Sequence, residues 1–318
     1  MTKLYQSAAD KRFATGLLLA IVGSIAFSGK AIIVKLAYRY GVDAVTLIMY
    51  RMLFALPIFA AMAWWSSQGK AALTRKDWLG ILGLGFTGYY LASFLDFAGL
   101  AYITAALERL ILYLNPTLVL ILGWFMYKKR MSTLQIGAMA LSYAGILLVF
   151  GHEINLQTVN NSATAWGALL VFGSAVSYAI YLTYSGEFVK KLGSIRLVGL
   201  ATTVACLLCI AQFLILRPIG AMVVAPQVIW LSVLNATLCT AVPVLAVMMA
   251  IERIGAPLTA QTGMIGPIST ILMGVFILGE PLNAWIITGT VLVLGGVYLV
   301  SRNRPASVES VAISGTIK

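Results

Sequence analysis

Residues 115–149, NPTLVLILGWFMYKKRMSTLQIGAMALSYAGILLV, decide the fold, because they recur 151 positions later as residues 266–300, GPISTILMGVFILGEPLNAWIITGTVLVLGGVYLV. Each copy has an apolar run, a short polar turn and a second apolar run. The identities in this alignment are Pro116 with Pro267, Gly123 with Gly274, Phe125 with Phe276, Ile136 with Ile287, Leu141 with Leu292, Gly145 with Gly296, Leu148 with Leu299 and Val149 with Val300. Because apolar composition does not explain a shared proline and two shared glycines, the alignment indicates an internal repeat.

The chain as a whole is strongly apolar. Of its 318 residues, 61% are hydrophobic and 10% are charged, whereas soluble domains average about 45–50% and about 25%. A membrane-spanning helix needs about 20 mainly apolar residues. Ten such segments are predicted, at roughly 14–38, 43–65, 78–98, 102–126, 132–151, 165–187, 196–216, 228–250, 255–278 and 284–301. The sequence therefore predicts an all-α integral membrane protein with ten transmembrane helices.

The repeat divides these helices into two sets of five. We expect an N-terminal repeat at 1–151, an external loop at 152–164, a C-terminal repeat at 165–302 and a disordered cytoplasmic tail at 303–318. Because five is odd, the second repeat must enter the membrane from the opposite side. Inverted repeats of this kind are typical of secondary transporters, which bind substrate near the midplane between the halves.

The net charge of +12 is explained by topology. With ten spans, the basic residues between and beyond the spans on the side of the termini are Lys3, Lys11, Arg12, Lys70, Arg75, Lys76, Lys128, Lys129, Arg130, Lys190, Lys191, Arg196, Arg253, Arg302, Arg304 and Lys318. The other side has only Arg39 and Arg217. The positive-inside rule then predicts cytoplasmic termini in an inner or plasma membrane, and nucleic acid is not an expected partner.

Two longer segments carry a family resemblance. GLAYITAALERLILYLNPT leads into the first copy and AIERIGAPLTAQTGMIGP into the second, and the turn in the second copy reads GEPL. With the ten-span length, these features resemble the drug/metabolite transporter superfamily and its EamA family. The resemblance implies a helical carrier, often an exporter, with a central cavity lined by both halves. It carries over no catalytic residue.

Charged residues inside the spans are the strongest functional signal. They are Lys30, Lys35, Arg51, Asp96, Glu108 and Arg109. A charge at the bilayer centre costs roughly 2.5–3.5 kcal/mol on insertion scales, so such residues usually face the bundle interior and form pairs. At a rise of about 1.5 Å per residue, Arg51, Glu108 and Arg109 lie roughly 10–12 Å below the outer surface. All except Lys35, which is expected to extend to the outer interface, are predicted to share one layer in the outer half of the N-terminal repeat.

The partners of these charges remain open at this point. Adjacent helical residues point about 100° apart, so Glu108 and Arg109 need partners on other helices. Glu108 has Arg51 or Lys30 as candidates, and Arg109 has Asp96 or a substrate anion. One interpretation is a structural ion-pair cluster. The other gives Lys30, Arg51 and Arg109 to substrate binding and Glu108 and Asp96 to proton coupling or ion pairing. The surplus of positive charge favours a substrate with a carboxylate or phosphate.

Polar and aromatic residues of other spans extend the candidate site. On the sixth span, Ser174, Ser177, Tyr178, Tyr181 and Ser185 follow helical spacing and predict one face of a cavity. Tyr89, Ser93 and Asn235 are further candidates for substrate binding. Pro116 and Pro267 are expected to bend the fourth and ninth spans, because proline removes a backbone hydrogen bond. A hinge role and simple packing kinks are both open interpretations.

These observations predict a secondary transporter, with export favoured by the resemblance, of a small organic metabolite such as an amino acid or another carboxylate- or phosphate-bearing compound. Import or exchange by the same fold is the alternative, followed by a channel or a membrane enzyme. The expected partners are the substrate, a coupling proton or counter-substrate, and the lipid bilayer, with no prediction of oligomeric state. No catalytic residue, cofactor or metal is expected, since the single histidine lies in an outer loop. The GxGxxG of Gly83, Gly85 and Gly88 is predicted to serve helix packing.

Overall fold

A computed structural model describes residues 2–127, 132–156, 161–254, 259, 262, 263 and 265–302. All regular secondary structure in these residues is helical. Within the described residues, eight helices are long and apolar enough to cross a membrane: Phe13–Tyr38, Ala44–Ser67, Arg75–Leu100, Ala105–Phe125, Thr133–Glu153, Ser162–Leu192, Ser194–Leu216 and Pro226–Val247. Two shorter apolar helices, Ile265–Leu278 and Ala284–Leu299, follow. The predicted start of the ninth span at 255 lies outside the described residues.

The helices are numbered in chain order. They are α1 (Thr2–Tyr38), α2 (Ala44–Ser67), α3 (Arg75–Leu84), α4 (Ala92–Leu100), α5 (Ala105–Leu112), α6 (Asn115–Tyr127), α7 (Thr133–Leu156), α8 (Asn161–Leu192), α9 (Ser194–Leu216), α10 (Pro226–Ala236), α11 (Val242–Ile254), α12 (Ile265–Met273) and α13 (Ala284–Arg302). The π-helical segments are Gly85–Leu91, Thr237–Ala241 and Gly274–Leu278, and a 3₁₀ turn covers Ile219–Met222. Span 3 comprises α3 and α4, span 4 comprises α5 and α6, and span 8 comprises α10 and α11. Spans 1, 2, 5, 6, 7 and 10 each have one α-helix. In span 9, Thr259 and Thr262 are helical and Gly263 is a turn residue before α12.

Polar residues at the helix starts explain several of these bounds. Asp43 accepts hydrogen bonds from the backbone amides of Val45 and Thr46 at the start of α2. Thr74 and Asp77 form a reciprocal capping box at the start of α3. Such caps satisfy backbone amides that have no partner inside the helix. The breaks between the apolar runs therefore encode where the helices begin.

The helices repeat with the spacing found in the sequence. Arg75 begins α3 and Pro226 begins α10, 151 positions later. Thr133 begins α7 and Ala284 begins α13, again 151 positions later. The π-helical segments of spans 3 and 8 also fall at matching positions. The 151-residue spacing found between residues 115–149 and 266–300 thus also relates spans 3 and 8.

The packing of the spans has the symmetry of an inverted repeat. Span 2 packs against span 7, and span 5 packs against span 10. Span 1 packs against spans 8 and 9, while span 6 packs against spans 3 and 4. Exchanging each span with the one five places away reproduces the same set of contacts, as a two-fold axis between the halves requires. The predicted fold of ten helices in two inverted five-helix repeats is confirmed.

Glycines bring spans 5 and 10 together in the same symmetric way. A Cβ atom on Gly145 would lie 2.7 Å from the Gly289 carbonyl oxygen, and one on Gly296 would lie 2.5 Å from the Ala138 carbonyl oxygen. These two contacts are related by the 151-residue offset. Small residues at such crossings let helix backbones approach closely in a membrane, which explains why glycine recurs at both positions.

The GxGxxG segment of span 3 lies at a helix crossing. A Cβ atom on Gly85 would lie 2.6 Å from the Ala201 carbonyl oxygen, and one on Gly88 would lie 2.4 Å from the Tyr181 ring. A Cβ atom on Gly83 would meet open space. The packing interpretation is therefore confirmed for Gly85 and Gly88.

Candidate functional site

Five charged side chains from spans 1 to 4 are buried in the bundle. Lys30, Arg51, Asp96, Glu108 and Arg109 expose 6%, 5%, 2%, 0% and 6% of their surface. Glu108 and Arg109 thus do not face lipid. Arg51 binds Thr240 of span 8, and Arg109 binds Ser28, which also contacts Gly266 of span 9. The charges of the N-terminal half are therefore held partly by the C-terminal half.

Lys30 lies between the two carboxylates of this cluster. Its ammonium group donates a hydrogen bond to Asp96 Oδ2 and lies 3.2 Å from Glu108 Oε1. Glu108 therefore pairs with one of its two predicted partners. Asp96 pairs with Lys30, and not with Arg109 as the sequence also allowed. Asp96 Oδ1 and Glu108 Oε2 are buried without a hydrogen-bond donor.

Arg109 is held by neutral groups. Its Nη2 donates to Ser28 Oγ at 3.1 Å, and its guanidinium carbon lies 5.4 Å from the Phe27 ring centroid and 5.7 Å from that of Tyr113. Buried Nε has no hydrogen-bond acceptor. No carboxylate in the described part of the chain forms an ion pair with Arg109. This cation is therefore desolvated without a matching charge.

Arg51, on span 2, is also held by neutral groups. Its Nε and Nη2 donate to Thr240 Oγ1 at 3.2 and 3.1 Å, and its guanidinium carbon lies 5.2 Å from the Phe97 ring centroid. Thr240 lies in the π-helical segment of span 8 and donates its own hydroxyl to the Asn235 carbonyl oxygen at 2.8 Å. Buried Nη1 of Arg51 lacks an acceptor, and no described carboxylate is ion-paired with this side chain.

Two interrupted helices meet beside Arg109. Span 4 breaks between α5, which ends at Leu112, and α6, which begins at Asn115. The Tyr113 hydroxyl in this break donates to the Gly263 carbonyl oxygen of span 9. Ser28, which binds Arg109, also donates to the Gly266 carbonyl oxygen at 2.9 Å. Transporters commonly form their substrate and ion sites from such discontinuous helices.

The two predicted hinge prolines lie where these helices resume. Pro116 is the second residue of α6, and Pro267 is the third residue of α12. Proline is well tolerated in the first helical turn, where its missing amide would have no acceptor. Span 4, which Pro116 was expected to bend, is interrupted just before it at Tyr113 and Leu114. A hinge role for either proline stays a prediction.

The predicted tyrosines form a separate group between spans 3 and 6. The Tyr89 and Tyr181 hydroxyl oxygens lie 3.2 Å apart, and the ring centroids of Tyr178 and Tyr181 lie 5.5 Å apart in a stacked arrangement. Tyr89 precedes Asp96 by seven residues, which is about 10 Å along a helix. The tyrosines also pack with apolar side chains of span 7. The structure therefore divides the predicted site into a charged group and a tyrosine group.

The remaining predicted residues have different surroundings. Ser174 and Ser177 donate to backbone carbonyls of span 3, each at 2.7 Å, so these two hydroxyls join spans 3 and 6. Ser93 is half-buried, one turn before Asp96. Asn235 exposes 1% of its surface, and its side-chain nitrogen and oxygen both lack hydrogen-bond partners. Asn235 is thus an unsatisfied polar group close in sequence to the Arg51 contact.

Sequence reasoning missed several residues that position the charges, namely Ser28, Phe27, Phe97, Tyr113 and Thr240. A serine, threonine or phenylalanine in an apolar helix gives no signal of its own, because its role depends on a side chain from another span. Tyr113 had the one usable signal, its place just before the Asn115-Pro116 break.

A second polar group lies at the start of span 4, about one helical turn before Glu108 and Arg109. The backbone amide of Ala105, at the start of α5, donates to Glu280 Oε1 at 2.9 Å. The Thr104 hydroxyl donates to Glu153 Oε1. Lys35 is half-buried and within electrostatic range of both glutamates. Glu280 belongs to the GEPL turn of the C-terminal half, so this turn caps a helix of the N-terminal half.

This architecture, two inverted five-helix halves with buried charges beside interrupted helices, defines a class of membrane transporter. The sequence profile of the EamA-like transporter family matches residues 14–151 and again residues 165–302. The chain therefore belongs to the EamA family of the drug/metabolite transporter superfamily, and it is a transporter, not an enzyme.

Similar proteins agree with this assignment. The chain is 30% identical to YcbK, an uncharacterized transporter of Bacillus subtilis strain 168, over 90% of this chain and 91% of that protein. It is 24% identical to a WAT1-related protein of Arabidopsis thaliana, over 88% and 87% of the two chains. A solved crystal structure shares the fold with a TM-score of 0.59 at 16% identity, covering 90% of this chain and 96% of that chain.

Proposed function

We propose that this protein is a secondary transporter of a small organic metabolite that carries a carboxylate or phosphate group. The observation that carries the proposal is the state of Arg51 and Arg109. Both guanidinium groups are buried, neither is ion-paired with a described carboxylate, and each has a nitrogen without an acceptor. Buried cations without a counter-charge are costly in a membrane and mark substrate or ion pathways.

The charge balance of the cluster supports an anionic ligand. Lys30 occupies both carboxylates, so the two arginines retain the surplus positive charge. A carboxylate or phosphate is the group that guanidinium binds best, because two parallel hydrogen bonds can form. Such a group would supply the missing acceptors and offset part of the desolvation cost of the arginines. A purely structural cluster would gain nothing from leaving these nitrogens unpaired.

The enclosure of the cluster supports alternating access. No charged side chain in it exposes more than 6% of its surface, so substrate reaches the arginines only when helices separate. We propose that residues 1–151 and 165–302 move against each other, with Pro116 and Pro267 as hinges and with both termini in the cytoplasm. Tyr89, Ser93, Tyr178, Tyr181 and Asn235 would complete the walls of the opened cavity.

Glu108 and Asp96 are proposed to couple transport to protons. They share one lysine and each keeps an oxygen without a donor, so adding a proton to one of them would weaken its hold on Lys30. The direction favoured by the family resemblance is export. In liposomes, flux driven by an imposed pH gradient in wild type and its loss in Glu108→Gln would support this coupling. Equal gradient dependence in both would exclude Glu108.

The substrate proposal is tested by ligand screening and flux. Metabolites with carboxylate or phosphate groups are first screened for thermal stabilisation of the purified protein, and each hit is then tested for counterflow in liposomes. Arg51→Ala and Arg109→Ala should abolish flux while the protein still elutes as a folded species, and Arg109→Lys should restore little, because lysine lacks the forked geometry. Lys76→Ala, at an exposed lysine, is the matched control.

Two outcomes would contradict the proposal. If both arginine variants transport a counterflow substrate at the wild-type rate, the arginines do not bind it. If only neutral or cationic compounds stabilise the protein and are transported, the anionic substrate class is wrong. Flux that rises without saturation would instead indicate a channel.

A further inference from the structure

A basic crevice opens at the end of the bundle where α1 begins and α13 ends, here called the terminal side. Its volume is about 510 Å³, and its lining includes Lys70, Asp77, Lys190, Lys191 and Arg196. Lys70 lies in the connection from span 2 to span 3, and Asp77 lies in the first turn of α3. Lys190 and Lys191 lie in the last turn of α8, and Arg196 lies in the first turn of α9. The crevice therefore lies between the two halves of the protein, away from the buried charge cluster.

The crevice carries a surplus of positive charge. Asp77 is the one acidic residue among its lining residues, and its oxygens are already used. Oδ2 accepts from the amide and hydroxyl of Thr74, and Oδ1 accepts from Lys191 Nζ at 2.6 Å. Among the described residues, no carboxylate is ion-paired with Lys70, Lys190 or Arg196. Three cations thus line one cavity without counter-charges from the described part of the chain.

Arg196 is built into the wall of this cavity. It exposes only 8% of its surface, and it donates from Nε to Ser67 Oγ at 3.0 Å and from Nη2 to the Ala71 carbonyl oxygen at 3.1 Å. These bonds fix the guanidinium and leave its Nη1 without a hydrogen-bond partner in the described ranges. Helix α9 begins beside it at the N-cap Gly193, which provides no side-chain cap for the first backbone amides. Fixed guanidinium groups and uncapped helix starts both favour an anion.

Tryptophans place the crevice at the depth of the lipid headgroups. Trp64 and Trp65 near the end of α2 expose 71% and 78% of their surface, and Trp78 at the start of α3 exposes 45%. Exposed tryptophans are enriched where a membrane protein meets the interface between lipid and water. The connection between these helices contributes Lys70 and Ala71 to the crevice. This depth favours the phosphate of a membrane lipid over a free phosphate as the ligand of the crevice.

We propose that the crevice binds the phosphate-bearing headgroup of an anionic phospholipid. The bound headgroup bridges the two halves of the protein on the terminal side, next to the Lys191–Asp77 ion pair that already joins them. Basic pockets between transmembrane helices bind anionic headgroups by this combination of charge and depth. The site is independent of the substrate proposal, because it shares no residue with the buried cluster.

The test is lipid retention by the full chain in detergent, measured by native mass spectrometry with phosphatidylglycerol, phosphatidylcholine or inorganic phosphate as the probe. We expect phosphatidylglycerol to be retained and phosphatidylcholine to be lost. The exposed lysines permit a variant without damage to the core, Lys70→Ala/Lys190→Ala. Since each basic residue near an anionic lipid contributes roughly fivefold in affinity, this variant should bind phosphatidylglycerol about thirtyfold more weakly.

Arg75→Ala/Lys76→Ala is the matched control, because it removes two exposed basic residues at the start of α3 that do not line the crevice. This control should retain the lipid as wild type does. Equal weakening in both double variants would overturn the proposal in favour of general surface charge. Equal retention of phosphatidylcholine, or displacement of phosphatidylglycerol by the same concentration of inorganic phosphate, would also overturn it.

Discussion

Removing Lys30 is the most informative perturbation of the buried cluster. In Lys30→Met the side chain keeps its approximate volume, but Asp96 and Glu108 lose their shared counter-charge. At the 3.2 Å separation of Lys30 Nζ and Glu108 Oε1, the attraction is about 5 kcal/mol for an effective dielectric constant of about 20. The ion pair with Asp96 adds a similar attraction. Desolvation of the three groups offsets much of this sum in the wild-type protein.

The desolvation cost does not disappear in the variant, because the two carboxylates stay buried after the lysine is gone. Breaking a buried ion pair on one side destabilises proteins by about 3–5 kcal/mol, and we expect Lys30→Met to lie in that range. Arg51 and Arg109 do not compensate, since neither is ion-paired with a described carboxylate. Neutralising the acids as well, in Lys30→Met/Asp96→Asn/Glu108→Gln, should restore most of the lost stability.

The assay is thermal unfolding of the purified protein in detergent, with Lys35→Met as the matched control on the same helix. Lys35 is half-buried, and Glu153 and Glu280 are within electrostatic range of it, but no described carboxylate lies within ion-pair distance. Its replacement should therefore cost less than that of Lys30. The reasoning is refuted if the two single variants melt at the same temperature. It is also refuted if the triple variant is less stable than Lys30→Met.

Further predictions concern other contacts. Glu280→Gln should destabilise the protein by about 0.5–1 kcal/mol, because the charge at the start of α5 is lost, as measured by thermal unfolding. Gly296→Ala should reduce the yield of folded protein in size-exclusion chromatography and Gly295→Ala should not, since a Cβ atom on Gly296 would lie 2.5 Å from a carbonyl oxygen and one on Gly295 would have only a contact at 3.8 Å. Burial raises the pKa of Asp43, but hydrogen bonds, including one from Arg217, lower it overall from 3.8. Any stability it adds is therefore present above about pH 4 and lost as the pH falls, and unfolding of wild type and Asp43→Asn should converge at low pH.

The positions of the charges along their helices were predictable, whereas their pairing was not. Helical rise places Arg51, Glu108 and Arg109 at similar depths whatever the packing. Rotation about each helix axis and the choice of neighbouring spans decide which oxygen meets which nitrogen. Lys30 pairs with both carboxylates because span 1 packs against spans 3 and 4. Arg109 therefore donates to the Ser28 hydroxyl and not to a described carboxylate.

For the tyrosines of span 6, the sequence predicted the shared face but not what that face contacts. Helical spacing correctly put Tyr178 and Tyr181 on one face of span 6, but spacing within a single helix does not say what that face meets. In the structure it meets Tyr89 and apolar side chains of spans 3 and 7. The distance from this group to the charged residues depends on where spans 3 and 6 cross, which is a property of two helices.

The sequence by itself determined the class of fold. Apolar composition forces helices that satisfy their own backbone in lipid, and the 151-residue repeat with an odd number of spans in each half forces the inverted arrangement. Tertiary structure alone decided that Arg51 and Arg109 have no ion-pair partner among the described carboxylates, that the GEPL turn caps a helix of the other half, and that Lys70, Lys190 and Arg196 line one crevice. The capping turn and the crevice join residues more than a hundred positions apart, and the partners of the arginines depend on which spans pack together, so no local pattern predicts these features.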